Sequence, residues 1–101
     1  MGKENNEEDL AYWNYRWFEF SCEDDKYFEM REVYYNKFDK IVAWAGTCNT
    51  FYIESVQDAR DLEKQAKEAM TKPLLTIINK NNKKVVIELD KTLLDTEEQY
   101  G

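Results

Sequence analysis

The sequence predicts an α+β domain: an antiparallel β-sheet, built in the chain order β-β-β-α-β-β, with one amphipathic helix packed on one face. Three observations carry that reading. Three β-forming runs, at 11–20, 27–35 and 41–45, follow one another with only short polar turns between them, as in an antiparallel meander. One later stretch repeats its apolar residues with a helical period. Two more β-rich runs, 74–78 and 85–89, flank a polar turn after it.

The chain has 101 residues, enough for one domain. Its hydrophobic fraction of 43% suits a packed core rather than a disordered chain. Residues 1–10, with Glu4, Glu7, Glu8 and Asp9 against Lys3, are expected to form a disordered acidic tail. Residues 11–90 are expected to be the single domain. Residues 91–101 are expected to be a second acidic tail, weakly amphipathic. The net charge of −7 therefore sits mainly at the two ends, and the middle of the chain is nearly neutral.

Residues 12–20 read YWNYRWFEF, and six of those nine side chains are aromatic. Strand alternation sends Trp13, Tyr15 and Trp17 one way, and Tyr12, Asn14, Arg16, Phe18 and Phe20 the other. Glu23-Asp24-Asp25 is a charged turn. In the second run Phe28, Met30, Glu32 and Tyr34 oppose Tyr27, Glu29, Arg31, Val33 and Tyr35. Asn36 to Lys40 is a polar turn with one Phe. In the third run Ile41, Ala43 and Ala45 oppose Val42 and Trp44, and the run ends near Gly46. Residues 47–54 read as a connection, with a brief strand at Phe51–Ile53.

The helix begins at Ser55, a good N-cap, with Asp58 three residues later in a near capping-box arrangement. Val56, Ala59, Leu62, Ala66 and Ala69 make one apolar stripe. The opposite face carries Gln57, Arg60, Asp61, Lys64, Gln65, Lys67 and Glu68. Pro73 ends the helix, because it lacks a donor and clashes with the preceding turn. Leu74 to Ile78 and Val85 to Leu89 then pair across the turn Asn79 to Lys84.

Neither face of the predicted sheet is polar, and one helix covers only one of them. A bare face of rings and aliphatic chains exceeds what a soluble monomer usually exposes. A partner is expected to cover it, and a second copy is the simplest one, giving a homodimer. The expected partner-binding residues are Trp13, Tyr15, Trp17, Tyr34 and Trp44.

Several chemistries are excluded by composition. The chain has no histidine, which removes Ser–His and Cys–His nucleophiles and imidazole metal ligands. Glycine is too scarce for a phosphate-cradling loop or a dinucleotide fingerprint, and no aspartate cluster has EF-hand spacing. Glu23, Asp24 and Asp25 read as a solvated turn. Glu19, Glu29 and Glu32 read as cross-strand partners for Arg16 and Arg31. Cys22 and Cys48 read as a reduced, buried pair in the cytoplasm. Cys22 has no base and sits among acids that would raise its pKa. No catalytic, cofactor or metal site is expected. Nor is a membrane partner, since no run is long enough to span a bilayer and no signal segment opens the chain. Rings alternating with charges could stack single-stranded nucleic acid, but a neutral middle with acidic ends offers no phosphate attraction.

With the segments in order, the chain resembles a family of small bacterial and phage-borne proteins whose function is uncharacterised. Trp13-Asn14-Tyr15-Arg16 matches its opening strand. Met30-Arg31-Glu32-Val33-Tyr34-Tyr35 matches the second, Ala43-Trp44 the third, Glu54-Ser55 the start of the helix, and Lys72-Pro73-Leu74-Leu75 its end. The resemblance covers about residues 12–75. Arg31 stands where that family has histidine, Asn36 to Lys40 replaces a glycine-rich turn, and 76–101 is an addition. The element order is also similar to the partial RNase H-like domain of HicB-type antitoxins. That likeness implies toxin binding and oligomerisation without nuclease chemistry. The expected function is thus a non-catalytic, dimeric protein-binding module of antitoxin or inhibitor type. The alternative is a phage anti-defence protein, such as an anti-CRISPR, that occludes a host effector.

Overall fold

A computed structural model describes residues 9–47 and 53–100. The elements are β1 (Tyr12–Cys22), β2 (Asp25–Tyr35), β3 (Ile41–Trp44), α1 (Val56–Met70), β4 (Pro73–Lys80), β5 (Lys83–Thr92) and α2 (Leu93–Tyr100). The expected strand at Phe51–Ile53 and the residue Cys48 fall wholly or partly outside the described residues. The sheet order is β3-β2-β1-β4-β5.

β1 and β2 form a long hairpin, running from Tyr12 opposite Tyr35 to Cys22 opposite Asp25. The two residues between them, Glu23 and Asp24, make the turn, with Glu23 at a φ of 59°. β3 adds to the free edge of β2, placing Trp44 opposite Val33 and Ile41 opposite Tyr35, with a register shift between them. The turn before β3 is organised by the buried Asn36, whose Oδ1 accepts from the amides of Phe38 (2.8 Å) and Lys40 (3.0 Å).

The α+β class holds, but the sheet is mixed rather than wholly antiparallel. β4 lies beside β1 and parallel to it, with Leu75 aligned to Phe18. A parallel neighbour needs a long crossover connection, and α1 supplies it. Its 15 residues extend about 22 Å at 1.5 Å each, the length of a short strand. The chain is thereby returned to the start of β1. β5 then pairs antiparallel to β4 through Asn81 and Asn82, both at positive φ (56° and 67°). Asparagine tolerates that conformation, and it matches the twist of a tight hairpin.

The C-terminal segment also departs from expectation. Leu93–Tyr100 is a helix rather than a tail. Thr92 and Asp95 cap it reciprocally: the Asp95 amide donates to Thr92 Oγ1 (3.4 Å), and the Thr92 amide to Asp95 Oδ2 (2.8 Å). This is the capping-box geometry. At α1, Ser55 Oγ accepts from the Asp58 amide (3.1 Å) as expected.

The sheet has apolar residues on both faces. Trp17 donates its indole N–H to the Ala66 carbonyl (3.3 Å), so Trp13, Tyr15 and Trp17 face α1. Leu74 and Ala69 are buried on that side. The helix meets the sheet only through its second half. Leu62, Ala66, Ala69 and Met70 are at least half covered, whereas Val56 and Ala59, expected in the buried stripe, are exposed. They sit on the first turns, before the helix reaches β1. The larger cluster lies on the opposite face: Phe18, Val33 and Leu75 are fully buried with Tyr35, and Phe20, Ile41, Trp44, Ile77 and Val86 pack around them.

This division of labour makes two substitutions diverge. Phe18→Ala should cost about 3–5 kcal/mol of unfolding free energy. Val56→Ala should change it by less than about 0.5 kcal/mol. Denaturant titration of both variants checks the contrast, and a large loss in Val56→Ala would contradict it.

Candidate binding cleft

Alternation in β1 places Trp13 and Tyr15 on the helix face, two residues apart. Their rings meet edge to face, with centroids 5.2 Å apart at 88°, a favoured aromatic geometry. Across from them the last turns of α1 present Gln65 and Glu68, three residues apart on one side of the helix. Lys72 follows directly after the helix end. Together these residues, with Asn14, enclose a cleft of about 290 Å³ over Ala69. That volume is at the lower end for ligand pockets, with room for about one large side chain.

The wall continues onto β2. Trp13 stands opposite Tyr34, and Tyr15 opposite Glu32. The Tyr34 hydroxyl donates to the Glu32 carboxylate. That hydrogen bond is the main reason the Tyr34 pKa lies above its ordinary value, with burial adding to it. Tyr15 is also raised, first by burial and then by the Glu32 charge. Tyr12, on the other face, is raised chiefly by donating to Asp39 (2.7 Å).

Four of the five expected partner-binding residues, Trp13, Tyr15, Trp17 and Tyr34, share this face, but it is the face on which α1 packs and not the uncovered one the sequence suggests for them; Trp44 does not share it. It lies opposite Val33 and packs into the cluster around Phe18. Trp17 is engaged with the helix backbone rather than offered to a partner. Lys72 was not singled out from the sequence as a site residue. Its position one step before Pro73, where the helix must end, is the signal that marks it.

The other face holds two buried arginines; Arg31 takes one of the expected acids, Glu29, though along its own strand, whereas the acid on Arg16 is not among those expected. Arg16 donates to the Tyr35 hydroxyl (2.9 Å), the Pro73 carbonyl (2.7 Å) and Glu88 (3.3 Å). Arg31 donates through Nε and a terminal nitrogen to Glu29 on its own strand (2.9 and 2.6 Å), and to the Ala45 carbonyl (3.2 Å). The register explains this, because Arg16 and Arg31 stand directly opposite each other. Like charges at that spacing repel, so each turns away to a separate acid. The Arg31 guanidinium also lies over the Phe20 and Phe18 rings, at 4.8 and 5.5 Å from their centroids, within cation–π range. Glu19 pairs with Lys91 (2.9 Å) and Lys26 (3.8 Å) rather than with an arginine.

Cys22 is exposed at the end of β1, beside the hairpin turn, and so is not part of a buried pair. Among the described residues, no three Cys, Asp or Glu side chains come together as metal ligands.

No protein-family model, curated protein or solved structure matches the chain.

The tyrosine environments set an alkaline response. A phenol whose folded pKa is raised favours the protonated, folded form. Its contribution is complete below the unfolded value of about 10, and is lost as pH climbs through the folded one. Phenolate absorbance in an alkaline titration should therefore show Tyr12, Tyr15 and Tyr34 lagging behind tyrosine in the unfolded chain. Glu32→Gln should bring Tyr34 back toward the ordinary value, and an unchanged curve in that variant would remove Glu32 as the cause.

Proposed function

We propose that this chain is a non-catalytic protein-binding module of antitoxin or inhibitor type, acting as a homodimer in the cytoplasm without a cofactor. One observation carries the reading. Trp13 is 47% exposed while standing edge-on to Tyr15 at the mouth of a cleft with a polar rim. A half-exposed tryptophan beside a partly buried tyrosine, inside a polar ring, has the composition of a protein-binding hot spot. Gln65, Glu68 and Lys72 supply donors and acceptors around them.

Three further points support it. The net charge of −7 favours encounter with a basic partner surface, as on a nuclease or toxin that handles nucleic acid. The resemblance to HicB-type domains points the same way as a fold-level analogy. Both internal guanidiniums are engaged with carboxylates, carbonyls and rings, which favours a protein partner over a phosphate backbone. No helix among the described residues is long and apolar enough to cross a membrane. An anti-defence protein that occludes a host effector would use the same cleft, and the identity of the captured partner separates the two versions.

Affinity capture from source cells with wild-type and Trp13→Ala baits tests the reading. A stoichiometric protein held by wild type should be lost or weakened by Trp13→Ala. With the purified partner, the loss should be about 2 kcal/mol, roughly thirtyfold in Kd. Circular dichroism of the variant controls for folding. No stoichiometric partner, or one held equally by Trp13→Ala, overturns the cleft as the binding surface.

A further inference from the structure

β5 is an outer strand of the sheet, so one row of its backbone groups is open to a further strand. Its regular part is short. Lys83 to Glu88 pair one-to-one with Lys80 to Leu75, but between Glu88 and Thr92 the register slips, three residues of β5 facing Leu74 alone. An added strand is therefore confined to the stretch around Lys83–Leu89.

We infer that this stretch pairs antiparallel with the same stretch of a second copy, with the two-fold axis at Val86. The inference rests on the dimeric part of the reading above and assigns its surface. In an antiparallel ladder, opposite residues share both their face and their hydrogen-bonding direction. The axis must then pass through a residue, and only a few registers qualify. With the axis at Val86, Lys84 faces Glu88 of the partner subunit at both ends. Val85 faces Ile87 twice, and Val86 faces itself. Lys84 and Glu88 then each lie opposite the other's charge, Lys83 falls at the rim beside Leu89, and the apolar residues between them meet in rows. Ile87, 37% exposed in the single chain, gains an apolar neighbour.

The neighbouring registers fail on stated grounds. An axis at Ile87 sets Lys83 against Lys91 and runs through the irregular segment. An axis at Glu88 sets two carboxylates face to face. An axis at Val85 sets Lys83 and Lys84 against Ile87 and Val86. Exposed edge lysines discourage random strand addition. Here the same lysine selects one register, because Glu88 is 58% exposed at its side chain although it holds Arg16. The result is a ten-stranded sheet with both α1 helices on one face.

Light scattering on the full chain over a range of concentrations tests the inference, with three variants. Wild type should show twice the 12.2 kDa chain mass. Lys84→Glu sets carboxylates opposite each other at both ends and should raise the dimer dissociation constant about tenfold or more. Lys80→Glu makes the same charge change at the hairpin tip, outside the overlap, and should change it by no more than about twofold. Val86→Cys, with Cys22→Ser and Cys48→Ser, should form a disulfide across the axis under mild oxidation. If Val86→Cys does not fold, the two charge variants decide. A dimer that Lys84→Glu leaves intact, or weakens no more than Lys80→Glu does, overturns the β5 edge and leaves the homodimer standing. So does a folded Val86→Cys that fails to cross-link. A wild-type monomer overturns this interface and the homodimer together, while the cleft keeps its own test at Trp13.

Discussion

Arg16 is the constraint on which the rest of the structure depends. It is 4% exposed, in the central strand. A buried cation without partners costs several kcal/mol, so the chain must bring acceptors to it. Those acceptors come from three other strands: Tyr35 from β2, the Pro73 carbonyl from the first residue of β4, and Glu88 from β5. Tyr35 is itself held, donating to Asn14 (2.9 Å) and stacking on Tyr12 at 4.7 Å. Losing any of these contacts would expose the cost of the buried charge, so the bonds act on β4 and β5 as a docking restraint. The start of β4 must lie beside Arg16, and Leu75 then comes level with Phe18.

That restraint reaches the cleft through Pro73. Because β4 starts at Pro73, α1 must end at Thr71, whose hydroxyl donates to the Glu68 carbonyl (2.7 Å) and closes the last turn. The final turns of α1 are thereby laid over the first half of β1. This is where Gln65, Glu68 and Lys72 come to face Trp13 and Tyr15. The opening of the cleft toward solvent has a related cause. The small side chain of Ala69 forms its floor, and the long side chains of Gln65, Glu68 and Lys72 stand at its edge. The two faces of β1 thus do different work. The side with Arg16 fixes strand order, and the side with Trp13 presents rings.

What the sequence disclosed follows from which signals are local. Period-two alternation in YWNYRWFEF assigned Trp13, Tyr15 and Trp17 to one face correctly, because a strand's faces depend on its own residues. Ser55 and Asp58 marked the helix start for the same reason. Thr92 and Asp95 carry an equally local signal for α2, but acidic composition masked it. The parallel pairing of β1 with β4 had no local signature, since periodicity records a face and never a neighbour. The acid on Arg16 was missed likewise: Glu88 lies 72 positions away. Val56 and Ala59 continue the apolar stripe, yet a stripe gives the direction a helix turns toward the core and not how far the core extends. Trp44 was grouped with the wrong rings because its face is set by its pairing with Val33 of β2, and a four-residue strand carries no local mark of that register.

The two proposed surfaces are compatible because of how a two-fold axis acts on a sheet. An axis perpendicular to the sheet at Val86 would keep each face on its own side, so both α1 helices, and both clefts, would open in the same direction. The overlap on β5 runs beside Leu75 to Lys80, level with the second half of β1, whereas Trp13 and Tyr15 stand near its beginning. Neither surface then occludes the other. A partner that is itself dimeric, or that repeats a recognition side chain, could engage both clefts at once. The second engagement would be intramolecular, at an effective concentration set by the rigid sheet between the sites rather than by a flexible tether. A module with one shallow cleft of about 290 Å³ has little area with which to hold a large protein. In the proposed dimer, two such clefts on one rigid face would give retention that a single ring pair cannot supply.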